Sequence, residues 1–140
     1  MQASSHILKR LKERGHRFTK TRGLLLELLL KSPEPLSALD LQKAFSRSGT
    51  TVAKTTVYRE FAFLMKEKVI RELDFGDSIK RYEIMPDNHH HHIMCVNCRK
   101  IEEVVLEKDL DSEEKMIAKN KQFKILNHSL EFFGLCAKCQ

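Results

Sequence analysis

His89-His90-His91-His92-Ile93-Met94-Cys95-Val96-Asn97-Cys98 places six potential metal ligands within ten residues. A second pair, Cys136 and Cys139, repeats the C-x-x-C spacing with 37 residues between the pairs, and the chain has 4 Cys in all. Four soft thiolates in two such pairs are the usual ligand set of a tetrahedral structural zinc site. The competing readings are disulfides or buried free thiols. Met1 to Ser5 lead straight into a charged helical pattern instead of a signal peptide, so a reducing, cytoplasmic setting is expected, where thiols bind metal. The four histidines form a separate problem. In an extended segment neighbours point to opposite sides, so His90 and His92 face one way and His89 and His91 the other. The run can feed two metal sites, or be a solvated polar loop. Imidazole suits zinc, iron, copper and nickel, so ligand type does not name the metal.

Working outward, 140 residues suffice for one ordinary domain or two small ones. The longest apolar run, Leu24 to Leu30, is interrupted by Glu27 and falls far short of a membrane span. Charge is divided unevenly. Residues 1–86 hold 17 Lys+Arg against 10 Asp+Glu, whereas residues 87–140 hold 8 against 9. The net charge of +6 therefore lies in the first part, away from most of the metal ligands, which suggests a polyanion-binding half and a metal-binding half.

The first part reads as helices. Ile7, Leu8 and Leu11 mark an amphipathic helix over residues 4–14, ended by Gly15. Thr19 is an N-cap for a helix whose Leu24 to Leu30 stretch is apolar nearly all round, hence central to the domain. Pro33 and Pro35 stop it. Ser37 and Asp40 fit a capping box, with Leu36 and Leu41 as its hydrophobic staple, for a third helix to about Arg47. A fourth helix is expected over residues 54–66, burying Val57, Phe61 and Leu64. It leaves Thr55 and Arg59 on the opposite face and Tyr58 at the flank, residue types that touch phosphates and base edges. Residues 69–73 and 80–84 read as strands around the Phe75-Gly76-Asp77-Ser78 turn. A hairpin directly after the last helix of a helix-turn-helix makes a winged helix.

Met85-Pro86-Asp87-Asn88 reads as a hinge. Beyond it come a strand into Cys95, a zinc-knuckle turn, a strand over 100–105, a helix over 109–120 and a strand over 123–133. The fold class is α+β, with boundaries at 1–85, a hinge at 86–89, and 90–140. A second part of about 50 residues is small to stand alone, so zinc and self-association are expected to stabilise it.

Taken together, Gly15 to Arg22 (G-H-R-F-T-K-T-R), Thr56-Val57-Tyr58-Arg59, the His89 to Cys98 block, Asn127-His128-Ser129 and the Cys136/Cys139 pair resemble the ferric uptake regulator (Fur) family of metal-sensing transcription factors. The resemblance spans nearly the whole chain. It implies an N-terminal winged-helix DNA-binding domain and a C-terminal α/β dimerisation domain. By the same resemblance Cys95, Cys98, Cys136 and Cys139 match the structural zinc site. Glu83, His90, His92 and Glu103 match the regulatory site at the hinge, and His89, His91, Asp111 and His128 match an additional site. Arg17 matches a minor-groove contact, and Tyr58 and Arg59 match base and phosphate contacts. The family's regulatory site usually takes a further His two residues before the Ser N-cap of the third helix; here that position is Pro35.

The implied function is that of a homodimeric, metal-dependent repressor acting on a palindromic double-stranded DNA operator and controlling metal homeostasis genes, with tetramers as a further assembly. Structural Zn2+ is expected, with Fe2+ at the regulatory site and Mn2+ or Zn2+ as alternatives. Rival readings are a peroxide-, zinc- or manganese-responsive member, or a metal-independent regulator whose only zinc is structural. Peroxide-sensing members favour Asp where this chain has Glu103. A zinc enzyme would need three ligands and an open position, and no nucleophile motif or substrate domain accompanies the His run, so no enzyme and no membrane role is expected.

Overall fold

A computed structural model of the chain describes residues 2–87 and 89–140. Asn88, part of the expected hinge, lies outside the described residues. The chain forms two compact units, Met1–Met85 and Pro86–Gln140.

The first unit runs α1 (Gln2–Glu13), α2 (Lys20–Lys31), β1 (Leu36–Ser37), α3 (Ala38–Arg47), α4 (Lys54–Lys66), β2 (Ile70–Asp74) and β3 (Lys80–Ile84). Local chemistry sets these limits. Gly15 follows α1 at φ +85°, a left-handed conformation that costs glycine little. Thr19 caps α2 by accepting a hydrogen bond from the Arg22 amide. Ser37 and Asp40 form a reciprocal capping box at α3. The α4 periodicity buries Val57, Phe61 and Leu64 completely. These side chains meet Leu25 and Leu26 of α2, Leu41 and Phe45 of α3, and Leu11 of α1 in one core. Tyr82 of β3 stacks on Phe61 with ring centroids 3.8 Å apart, tying the recognition-type helix to the hairpin.

β2 and β3 pair antiparallel, Glu72 opposite Tyr82, and form the wing. The two-residue β1 adds to the far side of β3, giving the order β1-β3-β2. The sequence patterns did not foresee β1, because two residues carry no readable alternation. The wing turn is closed from within: Arg81 is buried in an ion pair with Asp77 at 2.8 Å and lies over the Phe75 ring.

The second unit holds β4 (His91–Cys95), β5 (Ile101–Val104), α5 (Asp111–Lys121) and β6 (Glu131–Gly134). β4 is central, antiparallel to β5 and parallel to β6, with His92 opposite both Glu103 and Glu131. The expected strand over 123–133 is corrected to 131–134. Residues 123–130 have no ladder partner among the described residues, since β4 is already paired on both edges, and Phe123 and Leu126 are exposed. The unit's interior is thin: among the described residues its only fully buried hydrophobic ones are Met94, Cys95 and Ile101, and α5 buries none.

Candidate metal centres and nucleic-acid interface

The parallel register of β4 and β6 carries both strands to the same end, where the two Cys pairs follow. Cys95 ends β4, and Cys98 sits in the tight turn that Arg99 closes at φ +65°. Cys136 and Cys139 form the matching turn after β6, with the Cys139 amide donating to the Cys136 carbonyl at 2.8 Å. All four Sγ atoms lie within 4.8 Å of one another, and Cys98 and Cys136 are 3.7 Å apart. Tetrahedral zinc with Zn–S bonds of about 2.3 Å sets its sulfurs roughly 3.8 Å apart, so the donor set fits that ion in type and spread. Backbone amides of Cys98 and Cys136 point at Cys95 Sγ and bring its thiol down to about 6. Cys139 is pushed up to about 11: the Asn97 side chain favours its thiolate, but the Cys136 thiol, burial and the other two sulfurs outweigh that.

The histidines alternate as a strand requires. His89 and His91 share one side, ring centroids 4.8 Å apart, and His90 and His92 share the other at 4.9 Å. On the first side His128 joins them, and all three offer nitrogens within 4.8 Å of each other. Buried His91 places Nδ1 3.2 Å from the Leu130 carbonyl. A carbonyl only accepts, so Nδ1 carries the proton and Nε2 keeps its lone pair. That Nε2 is the one buried side-chain polar atom without a partner among the described residues. Burial first, then His89, holds His91 below the usual imidazole range, which keeps it neutral. His128 donates from Nδ1 to Glu114 at 2.5 Å, leaving its own Nε2 3.1 Å from that of His89. Neutral imidazoles with one nitrogen oriented by an oxygen are the arrangement of metal-ligating histidines.

Asp111 does not join this group. The carboxylate beside His128 is Glu114, one helical turn on, which pairs with His128 Nδ1 outside the three-histidine group, and Asp109 comes within 3.9 Å of His89. The i, i+3 spacing of Asp111 and Glu114 on α5 was the sequence signal that could have found this carboxylate.

On the second side, His90 Nδ1 is 3.7 Å from Glu103, and Glu103 is the ladder partner of His92. Glu83 belongs to the first unit, on β3, where Arg71 grips its carboxylate at 2.6 Å. Pro35 is buried before the α3 cap and carries no ligand atom.

The first unit presents Arg17, Thr55, Tyr58 and Arg59 to solvent. Lys54 lies 5.8 Å over the Tyr58 ring. The exposed face of α4 thus offers an aromatic edge flanked by two cations. A winged helix with such a face, in a chain that also gathers four cysteines and a cluster of histidines, defines a DNA-binding metalloregulator.

Comparison with known proteins agrees. The sequence model of the Ferric uptake regulator family matches residues 13–133. The ferric uptake regulation protein of Bacillus subtilis is 32% identical over 138 residues, covering 95% of this chain and 91% of its own. The peroxide operon regulator of the same organism is 33% identical over 132 residues, covering 94% and 90%. Among solved structures, the ferric uptake regulator of Helicobacter pylori, which has three functional metal binding sites, superposes with a TM-score of 0.79 at 28% identity, covering 99% of this chain and 92% of that one. The chain belongs to the Ferric uptake regulator family, whose members here regulate transcription and respond to different signals. No helix among the described residues is long and apolar enough to cross a membrane.

Proposed function

We propose that this chain is an iron-responsive repressor that binds a palindromic DNA operator as a homodimer. The observation that carries the reading is the division of donors along β4 and the two residues before it, with His89 and His91 on one side and His90 and His92 on the other, next to a separate set of four cysteines. One strand thereby serves two sites besides the structural one.

Cys95, Cys98, Cys136 and Cys139 hold zinc. His89, His91, Asp111 and His128 form the additional site, as the family resemblance gives it, with Glu114 orienting His128 through its Nδ1. Glu83, His90, His92 and Glu103 form the regulatory set. By sequence, Glu83 stands three residues before Pro86 and His90 four after it. Arg17, Tyr58 and Arg59 make the groove and phosphate contacts, and Thr55 extends the same face. Metal dependence requires only that the ion prefer the DNA-competent arrangement.

The test is an anaerobic DNA-binding titration. Mild chelation leaves only thiolate-held zinc, after which Fe2+, Mn2+ or Zn2+ is added separately. A rise in affinity of at least about tenfold, roughly 1.4 kcal/mol of coupling, with Fe2+ is the expected result. Pro35 in place of a His favours a second reading, a regulator whose zinc is only structural. High affinity that stays flat with every metal would establish that reading and refute the first. Comparison with the peroxide operon regulator makes His oxidation a third arm. Mass spectrometry after iron and peroxide that finds no oxidised His would remove the peroxide-responsive reading.

A further inference from the structure

Arg22 is a buried cation with no exposed role. Its Nε and second terminal nitrogen donate to the two carboxylate oxygens of Glu60 at 2.8 and 3.3 Å. Its remaining nitrogen donates to the backbone carbonyl of Arg17 at 2.7 Å. Its guanidinium plane lies 3.9 Å from the centre of the Phe63 ring. Glu60 and Phe63 are both on α4, the helix that exposes Tyr58 and Arg59. Arg17 is on the linker before α2. One side chain therefore joins the backbone of the linker to the recognition-type helix.

The linker is fastened at two further points. Thr19 accepts from the Arg22 amide at 3.2 Å. The Phe18 ring covers Gly23 so closely that a Cβ there would meet it at 3.2 Å. Arg17 itself stays exposed at the end of this fastened loop.

A buried Arg–Glu pair adds little net stability, since the attraction is largely cancelled by desolvation, and well-packed apolar residues often serve as well. What such a pair supplies is fixed geometry, because the planar fork fits two acceptors in one orientation. We infer that Arg22 is a positioning residue for DNA recognition: it holds the Arg17 backbone at a set distance from α4, so that the minor-groove contact and the major-groove contacts engage the same duplex in register. The inference rests on the reading of Arg17 and of α4 as DNA contacts.

A double-mutant cycle tests it in the full-length zinc- and manganese-loaded protein. The probe is a duplex selected from a random pool by the unmodified chain. Arg22→Lys keeps the charge and loses the fork. It should weaken binding about tenfold when Arg17 is present and less than about twofold in the Arg17→Ala background, because the contact it positions is then already gone. A purely structural role would instead give the same loss in both backgrounds, and that additivity would overturn the inference while leaving Arg17 a contact. If Arg17→Ala alone changes nothing, the reading of Arg17 fails and the inference with it. Should Arg22→Lys unfold, Arg22→Met with Glu60→Leu replaces the pair by apolar packing. That variant should fold by circular dichroism, bind about tenfold more weakly, and show the same dependence on Arg17; full affinity would refute the inference.

Discussion

Removing zinc should unfold the second unit and leave the first intact. The perturbation is Cys139→Ser, or chelation strong enough to strip all four thiolates. Within residues 86–140 the fully buried apolar side chains outside the zinc set are Met94 and Ile101. Burying each contributes about 1.5–3 kcal/mol. A structural zinc site contributes on the order of 10–16 kcal/mol at neutral pH, so the metal outweighs the hydrophobic interior of this unit. The first unit has no such dependence: its core runs from Ile7 and Leu11 through Leu25, Leu41 and Phe61 to Tyr82. Amide hydrogen exchange read by mass spectrometry separates the two. Peptides spanning 91–95, 101–104 and 131–134 should lose protection on zinc removal, with those spanning 57–64 unchanged. Full protection of β4 and β6 in zinc-free protein would refute the argument, and so would collapse of both units together.

Three further outcomes follow from single contacts. Phe61→Ala removes a ring that is 1% exposed and stacked on Tyr82, and should cost about 3–5 kcal/mol, read as a lower urea midpoint for the first unit. Burial and the Glu72 carboxylate raise the Tyr82 phenol above its ordinary value. The unfolded chain then ionises first, so stability is full below about pH 10 and falls as pH rises beyond it; Tyr82→Phe should flatten that alkaline decline, and an unchanged slope would discard the assignment. Tyr58→Ala should weaken binding to the preferred duplex more than to random DNA, whereas Arg59→Ala should weaken both and lower the salt dependence, measured by titration at several salt concentrations. Equal binding by both variants would remove α4 from the interface.

Much of this was legible because periodicity and capping are local. The α4 limits, the Ser37–Asp40 box and the alternation of the His run each need only a few neighbouring residues. The pairing of two distant C-x-x-C motifs was readable because the chemistry of four thiolates leaves few alternatives. Contacts set by tertiary placement were not legible. Glu114 reaches His128 because of how α5 packs, and Arg22 meets Glu60 across 38 positions of sequence. The strand expected over 123–133 failed for a related reason: its pattern was right for an extended segment, but a strand exists only where a neighbouring edge accepts it.

The parallel pairing of β4 with β6 also sets the loop that must close before the second unit can form. Joining His92 to Glu131 requires the intervening chain, β5 and α5 included, to be spanned before the ladder returns any energy. The first unit bears a similar cost, since β1 reaches β3 from Leu36 to Tyr82 and Arg22 meets Glu60 across 38 positions. Low contact order folds fast and long-range parallel pairing folds slowly. Neither unit is therefore built from local contacts alone, and in the second the Cys136 turn reaches Cys95 only as this ladder closes. An ion held by all four cysteines would close the same loop from its far end, so metal binding and formation of the β4–β6 ladder should appear as one cooperative step.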